Sequence, residues 1–253
     1  MTKTAAPMTS GSIWKQMTFF AMPIFLGNLF QQLYNTVDSL IVGNFLGSSA
    51  LAAVSSSGSL IFMLIGFLSG ISAGAGVIVA RFFGAGDEKN LQRAVHTTVA
   101  FGLVAGVLMT GVGVALSPQI LRWMDTPESV MRESVTYLQI YFAGSLGFVM
   151  YNVLVGILQA VGDSRHPLYY LIVSSVINLV LDLLFITGFH TGVGGAAVAT
   201  VISQIVSALL CFWQLLRTKE SYGLKIRKIR FDKGILVQII KIGLPSGVQN
   251  SII

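Results

Sequence analysis

Charged residues are scarce in this chain, and their scarcity decides its class. Only 10% of the 253 residues are Asp, Glu, Lys or Arg, whereas 54% are hydrophobic. Soluble globular domains carry about 25% charged residues. A water-soluble fold of this length could not hide so much apolar surface. The composition therefore predicts an all-α polytopic membrane protein.

Cysteine and histidine are also nearly absent. The single Cys211 excludes an internal disulfide, and its apolar neighbours indicate a small buried side chain. The three His residues are scattered, so no metal cluster or nucleophile with its base is evident. Gly70-Ile-Ser72-Ala-Gly74 matches a serine-hydrolase pattern, but that motif requires a strand-turn-helix setting, and here it falls in an apolar run. We expect neither an enzyme nor a bound cofactor.

What the sequence does contain is a series of long apolar segments. Their breaks are charged or rich in Gly and Pro, and about 20 residues suffice to cross a bilayer as a helix. Six segments are predicted to span the membrane, at about 18–44, 50–82, 92–116, 133–160, 167–189 and 193–216. We expect a six-span bundle over 1–216, a basic loop over 217–234, and the start of a seventh span over 235–253.

The positive charges lie mostly on one side of this predicted arrangement. When the loops are assigned alternately to two sides, fourteen of the sixteen Lys and Arg residues fall with the N-terminus, and the other side has Arg122 and Arg132 alone. Cytoplasmic loops are the ones enriched in Lys and Arg. The distribution predicts a multi-pass plasma-membrane protein with a cytoplasmic N-terminus. It also explains the net charge of +6 without a nucleic-acid partner.

One acidic residue lies deep inside the first span. Between Phe19 and Phe45 there is no Lys, Arg or Glu, and Asp38 is the sole carboxylate. Gln31 and Tyr34 precede it at helical spacing, so the three side chains share one face. A charge at this depth costs roughly 2.5–3.5 kcal/mol on insertion scales, and it usually marks an ion, proton or substrate path. A simple helix-packing hydrogen bond is the alternative.

A second intramembrane carboxylate occurs in the fifth span. Asn178 and Asp182 are four residues apart and project from the same helical face. The other eight acidic residues lie in loops or at helix ends, so Asp38 and Asp182 are expected to face one shared chamber. Thr200, near the start of the sixth span, could present its hydroxyl there.

Glycine and proline positions suggest helix packing, a hinge and a repeat. Gly66, Gly70 and Gly74 recur every four residues, which lets helices approach closely in lipid. Pro23 removes a helical hydrogen bond early in the first span, where it would act as a hinge.

Aligning Pro23 with Pro245 also matches flanking residues, so the seventh segment resembles a second copy of the first. Duplicated halves are usual in secondary transporters, and we expect an N-terminal half.

Taken together, these residues resemble the multidrug and toxic compound extrusion (MATE) transporters. The similarity extends over the whole chain and includes Tyr34-Asn-Thr-Val-Asp38, Arg81-Phe-Phe-Gly84-Ala-Gly86-Asp87, Leu158-Gln-Ala-Val-Gly162-Asp163-Ser-Arg-His-Pro167, Asn178-x-x-x-Asp182, Gly194-Gly195-Ala-Ala-Val-Ala-Thr200 and Gly243-Leu-Pro245. The resemblance implies twelve spans in two bundles of six, of which this chain would supply the N-terminal bundle.

The resemblance also implies roles for particular residues. In the DinF-like branch of the family, a cluster in the N-terminal lobe couples drug export to H⁺ or Na⁺. Its members correspond here to Tyr34, Asp38, Asn178, Asp182 and Thr200. All of these except Tyr34 would form a Na⁺ site if sodium is the coupling ion. Gln31 and Asn152 would line the substrate cavity, and Pro23 corresponds to the proline associated with bending.

The expected function is therefore export of cationic or amphipathic drugs by a protein that is a monomer at full length. A flippase for lipid-linked oligosaccharide or peptidoglycan precursors is an alternative. Such a protein should place several Arg residues in its cavity to hold pyrophosphate, and these spans are nearly free of Arg. A non-transporting scaffold is an alternative of another class, and it would tolerate neutral replacements at Asp38 and Asp182.

Overall fold

A computed structural model describes residues 12–252, and the regular structure in that part of the chain is entirely helical. Lys3, which the sequence places on the basic side, lies outside the described residues. The α-helices are α1 (Ile13–Leu46), α2 (Ser48–Gly84), α3 (Glu88–Trp123), α4 (Glu128–Ala143), α5 (Ser145–Ala160), α6 (Arg165–Leu183), α7 (Val193–Arg217) and α8 (Lys233–Ile252). Helix α6 continues directly into a wider π-helical turn, Leu184–Gly188.

The helices confirm a multi-pass membrane protein. Within residues 12–252, four are long and apolar enough to cross a membrane: α2, α3, α6 with its π turn, and α7. The pair α4 and α5 adds a fifth if it counts as one broken span. Helix α1 has 34 residues, ample for a crossing, but Gln31, Gln32, Asn35 and Asp38 interrupt its apolar residues. The count of six spans therefore stays a prediction.

The segment predicted as a span at 133–160 is divided into two helices. Helices α4 and α5 meet at Gly144 with a bend of 50°. A Cβ atom at Gly144 would collide with the side chain of Val201 on α7. The absence of a side chain therefore lets α7 pack directly against the bend.

Tight turns join the helices on the side where the positive charges lie. The predicted turns after α2 and α5 are confirmed, because Gly86 (φ 66°) and Gly162 (φ 90°) adopt left-handed conformations that favour glycine. In the first turn, the Asp87 carboxylate accepts hydrogen bonds from the backbone N–H (3.1 Å) and side chain (2.7 Å) of Asn90. These bonds cap α3, and they lower the pKa of Asp87 by stabilising its ionised form.

The main hydrophobic core lies where α2, α3, α5 and α7 meet. It includes Val79, Val95, Leu154 and Cys211, all fully buried, so the predicted burial of the one cysteine is confirmed. Many large apolar side chains are exposed outside this core, which is the pattern expected where helices face lipid.

Helices α2 and α8 approach each other through glycine. A Cβ atom at Gly70 would collide with the backbone of Gly247, and one at Gly74 would collide with the backbone of Gly243. The predicted close packing along the four-residue glycine repeat is thus confirmed, and its partner is α8. This contact therefore joins α8 to the helices that precede it in the chain.

Candidate ion-coupling site and substrate cavity

The two intramembrane carboxyl groups lie side by side. Asp38 on α1 and Asp182 on α6 are within side-chain hydrogen-bonding contact, although 144 positions separate them in the sequence. Asp182 is fully buried, and the Oδ1 atom of each residue receives no N–H or O–H donor from any residue between 12 and 252. Two carboxyl groups can occupy such positions stably when they share a proton or a cation.

Asn178 connects this pair to α7. Its side chain lies one turn before Asp182 on the same face of α6, as the spacing predicts. In the amide orientation that satisfies both of its polar atoms, Asn178 Nδ2 donates to Asp182 Oδ2 (2.6 Å). Its oxygen accepts from the backbone N–H of Thr200 (3.2 Å). The Thr200 hydroxyl donates to Ala196 O (3.0 Å), which fixes its rotamer within α7.

Tyr34 completes the set that the sequence predicts. It lies one turn before Asp38 on α1, and its side chain is hydrogen-bonded to that of Thr200. The structure therefore brings Tyr34, Asp38, Asn178, Asp182 and Thr200 together, at the meeting point of α1, α6 and α7. We call these five residues the carboxyl cluster.

Two further tyrosines were not predicted from the sequence. Tyr137 and Tyr141, on α4, stack with their ring centroids 6.4 Å apart, and Tyr137 interacts electrostatically with Asp38 and Asp182. Their four-residue spacing places them on one face of a predicted span, and that spacing was the available signal. Aromatic residues in an apolar run are usually core residues, so the signal is weak without a structure.

The π-helical turn begins two residues after Asp182. Such turns occur mostly as local departures from α-helix, frequently at functional sites. Here the turn ends at Gly188 and Phe189 N–H donates to Leu184 O (3.0 Å). It places a widened helix end directly beside the fully buried carboxyl group of α6.

A separate cavity of about 690 Å³ lies between α1, α2, α5 and α6. Gln31 and Asn152, the residues predicted to face a substrate, both line it, and so does Pro23. Asn152 Nδ2 donates to Phe148 O (2.9 Å) in its own helix. Neither Asp38 nor Asp182 is among the lining residues, and none of the described residues that form the wall is charged.

Helix α1 contributes residues to both the cavity and the carboxyl cluster. Gln31 lines the cavity, whereas Tyr34 and Asp38, one and two turns further along the same face, belong to the carboxyl cluster. Pro23 lies inside α1, which is continuous from Ile13 to Leu46. The predicted hinge at Pro23 thus stays a prediction.

The oxygen atoms of the cluster are of the kind that hard cations bind. Four residues of the cluster would supply oxygen ligands to a Na⁺ ion. These ligands are the carboxyl groups of Asp38 and Asp182, the amide oxygen of Asn178 and the hydroxyl oxygen of Thr200. In the orientation described above, however, Asn178 points its N–H₂ group at Asp182 and its oxygen at Thr200. A Na⁺ ion bound by all four residues would require that amide to rotate.

Long apolar helices around a buried pair of carboxyl groups are typical of membrane transport proteins. The family model MatE matches residues 23–184. The chain belongs to this family, whose members are transporters and not enzymes.

Curated relatives agree with this assignment. The probable multidrug resistance protein YoeA of Bacillus subtilis (strain 168) is 35% identical over 94% of this chain and 53% of its own length. The multidrug export protein MepA of Staphylococcus saprophyticus is 26% identical over 93% of this chain and 52% of its own length. The chain thus spans about half the length of the curated relatives it matches.

Solved structures show the same fold. MATE in its bent conformation superimposes with a TM-score of 0.86 at 28% identity, covering 94% of this chain and 53% of that one. An outward-facing multidrug resistance MATE family transporter gives a TM-score of 0.87 at 27% identity, covering 95% and 53%. The fold of this chain is therefore that of half a MATE transporter.

Proposed function

We propose that this chain is the N-terminal lobe of a secondary multidrug exporter. The exporter exchanges H⁺ or Na⁺ for cationic, amphipathic compounds by alternating access. In this proposal residues 1–216 form six spans, 217–234 link two lobes, and α8 is the first of six further spans. Support comes from the family, from the half-length match to multidrug resistance proteins, and from α8 packed along α2.

The observation that carries the proposal is the contact between Asp38 and Asp182. When the pair holds one proton or one cation, α1 stays attached to α6 and α7 through the carboxyl cluster. When both groups are ionised and nothing lies between them, they repel each other strongly in a medium of low dielectric constant. Loading and unloading of the pair thereby change the energy of α1 relative to α6.

Helix α1 passes this change to the substrate cavity. An ion can shift a two-state equilibrium only by binding the two states differently, and a pair that closes or parts supplies such a difference. Gln31 lies one turn from the cluster, so any displacement of Tyr34 and Asp38 moves the cavity wall. Loading the pair in the outward-open state would favour the shape that releases the drug.

The cavity wall favours a cationic or neutral amphipathic substrate over a pyrophosphate. Its described lining combines apolar side chains with amides and hydroxyls, among them Gln31, Ser72 and Asn152. A precursor flippase would require Arg or Lys there, and neither occurs among the described residues of the wall.

The orientation of Asn178 favours H⁺ as the coupling ion. An N–H₂ group 2.6 Å from Asp182 Oδ2 stabilises a carboxyl pair that shares a proton, but it would repel a metal cation. Na⁺ is the second candidate, since all of the required oxygens are nearby. We further propose that the full-length exporter works as a monomer in the bacterial inner membrane, with its N-terminus in the cytoplasm and lipid and drug as its partners.

Dye efflux from membrane vesicles, driven by an imposed pH or Na⁺ gradient, tests this function. The protein is expressed with its full reading frame, either unchanged or as Asp38→Asn or Asp182→Asn. Each variant should lose gradient-driven efflux while still inserting in the membrane. Asp125→Asn is the matched control, because Asp125 is exposed in a turn at φ 52°, which Asn tolerates.

The gradients also separate the candidate ions, since H⁺ coupling requires efflux with a pH gradient alone. Normal efflux in both Asp38→Asn and Asp182→Asn would overturn the coupling role of the carboxyl pair. Absence of gradient-driven efflux in the unchanged full-length protein would instead favour a non-transporting scaffold.

A further inference from the structure

A second cavity, of about 400 Å³, lies at the opposite end of the bundle from the carboxyl cluster. It opens between the first turns of α3 and the connection from α7 to α8. Five cationic side chains and one carboxylate line it: Lys89, Arg93, Arg227, Lys228, Arg230 and Asp232. We call it the basic pocket, and no part of the transport proposal uses it.

Side chains of α3 hold the connection firmly in place. Gln92 Nε2 donates to Ser221 O and to Gly223 O (3.0 Å). Further along, Asp232 N–H donates to Thr97 Oγ1 (3.1 Å). Thr97 itself is fully buried. Hydrogen bonds to α3 therefore hold the wall of the basic pocket in a defined conformation.

His96 strengthens the same attachment. It is 3% exposed, with Nδ1 2.6 Å from Gln92 O and Nε2 3.1 Å from the backbone nitrogen of Lys225. A neutral ring that donates from Nδ1 to Gln92 O can accept the Lys225 N–H at Nε2, so both contacts are satisfied by one tautomer. The backbone just before the cationic turn is thereby fixed to α3.

The charges around the pocket are unbalanced. Arg93 pairs with Asp232 at 3.1 Å. Between residues 12 and 252, no carboxylate lies within ion-pair distance of Lys89, Arg227, Lys228 or Arg230. Lys89 also interacts electrostatically with the nearby Asp87 carboxylate. Arg227, Lys228 and Arg230 repel each other around the cavity, and an anion placed among them would relieve that repulsion.

Exposed apolar side chains flank these cations. Ile226 is 60% exposed and Phe231 is 45% exposed, and Arg227, Lys228 and Arg230 lie between them in the sequence. Nearby at the end of α7, the guanidinium of Arg217 lies 4.6 Å above the ring of Trp213, which is 50% exposed. Aromatic and cationic residues mixed in this way are typical of the membrane–water interface. This composition favours a position of the pocket at headgroup depth.

We propose that the basic pocket binds the phosphate-bearing headgroup of an anionic membrane lipid. Arg227, Lys228 and Arg230 would hold the phosphate, with Ile226 and Phe231 in contact with the acyl-chain region. A soluble phosphate could use the same cations but would gain nothing from the two apolar side chains. Because the bound headgroup would join α3 to the segment leading into α8, it would stabilise the connection between α7 and α8.

Lipid binding is measured with the purified full-length protein, using fluorescent phosphatidylglycerol in nanodiscs of otherwise neutral lipid. The test variant carries Arg227→Gln, Lys228→Gln and Arg230→Gln. The matched control loses the same charge from the same side but outside the pocket, through Arg165→Gln, Lys219→Gln and Lys241→Gln. Removing three cations that contact one headgroup should weaken binding about tenfold or more, whereas the control should change it less than threefold.

Three outcomes would overturn the proposal: equal losses in the two triple variants, no preference for phosphatidylglycerol over phosphatidylcholine, or equal competition by inorganic phosphate and by dispersed phosphatidylglycerol. The last would assign the pocket to a soluble anion. If the test variant fails to fold, the double change Arg227→Gln with Lys228→Gln, confined to one exposed turn, is measured against Arg165→Gln with Lys219→Gln by the same criteria. None of these measurements depends on transport activity.

Discussion

At the scale of the residue, the carboxyl cluster brings together polar side chains that are each costly to bury in lipid. Asp38, Asp182 and Asn178 would each destabilise an isolated membrane helix. Together they satisfy most of their hydrogen-bonding atoms, and the Oδ1 atoms that lack a donor belong to the two carboxyl groups themselves. The remaining demand for a proton or cation is thus concentrated at one point of the protein.

The role of Asn178 can be tested through stability. Asn178→Ala removes the donor to Asp182 Oδ2 in a buried site, and such a loss costs about 1–3 kcal/mol. Asn44→Ala is the matched control, because Asn44 is exposed and its side chain donates to Leu40 O (2.9 Å) in its own helix. Thermal unfolding in detergent should show a clear drop in Tm for Asn178→Ala and little change for Asn44→Ala. Equal drops would contradict the hydrogen bond assigned to Asn178.

At the scale of the element, the positions of the helices follow from the sequence more readily than their irregularities do. Apolar runs between charged or glycine-rich breaks predicted the segments at 50–82, 92–116 and 193–216, and α2, α3 and α7 contain them. The bend at Gly144 and the π turn after Asp182 were not predicted. Both depend on contacts with other helices, and a glycine or a short polar interruption looks the same in the sequence whether or not the helix bends there.

The candidate site shows the same division. Asp38 and Asp182 were identified by their positions deep inside apolar runs, because a carboxyl group is costly to bury in lipid whatever the arrangement of the helices. Tyr137 and Tyr141 were not predicted because aromatic side chains are common in hydrophobic cores. The basic pocket was also not predicted. In the sequence, the charges of the loop at 217–234 are accounted for by membrane topology. The hydrogen bonds between this loop and α3, which form the pocket wall, become visible in the structure.

The contact between α2 and α8 gives a prediction at this scale. Gly70→Ala places a methyl group against the backbone of Gly247, and overpacking of this kind costs about 1–3 kcal/mol. Gly58→Ala, in the same helix, meets nothing within 4 Å, and it should be neutral or slightly stabilising. Thermal unfolding of the two variants checks the difference. A Gly70→Ala variant as stable as Gly58→Ala would mean that α2 and α8 do not pack as described.

At the scale of the whole molecule, three proposed sites are separated in space along the helices. The carboxyl cluster, the neutral cavity and the basic pocket have no lining residue in common among residues 12–252. Helix α1 connects the first two, and the connection before α8 contains most of the third. Changes in one place should therefore affect a distinct step, unless they disturb the connecting element.

Gln31→Ala tests this separation. Gln31 lines the cavity but lies outside the carboxyl cluster, so its replacement should change the KM for dye efflux several-fold and leave the dependence on the pH gradient as it was. Gln32→Ala is the matched control, because Gln32 is the next residue of α1, is exposed, and is not part of the cavity wall. Asp38→Asn should show the opposite pattern, with the gradient dependence lost and drug binding retained. If Gln31→Ala abolished the gradient dependence as fully as Asp38→Asn does, the cavity and the cluster would have to be treated as one site.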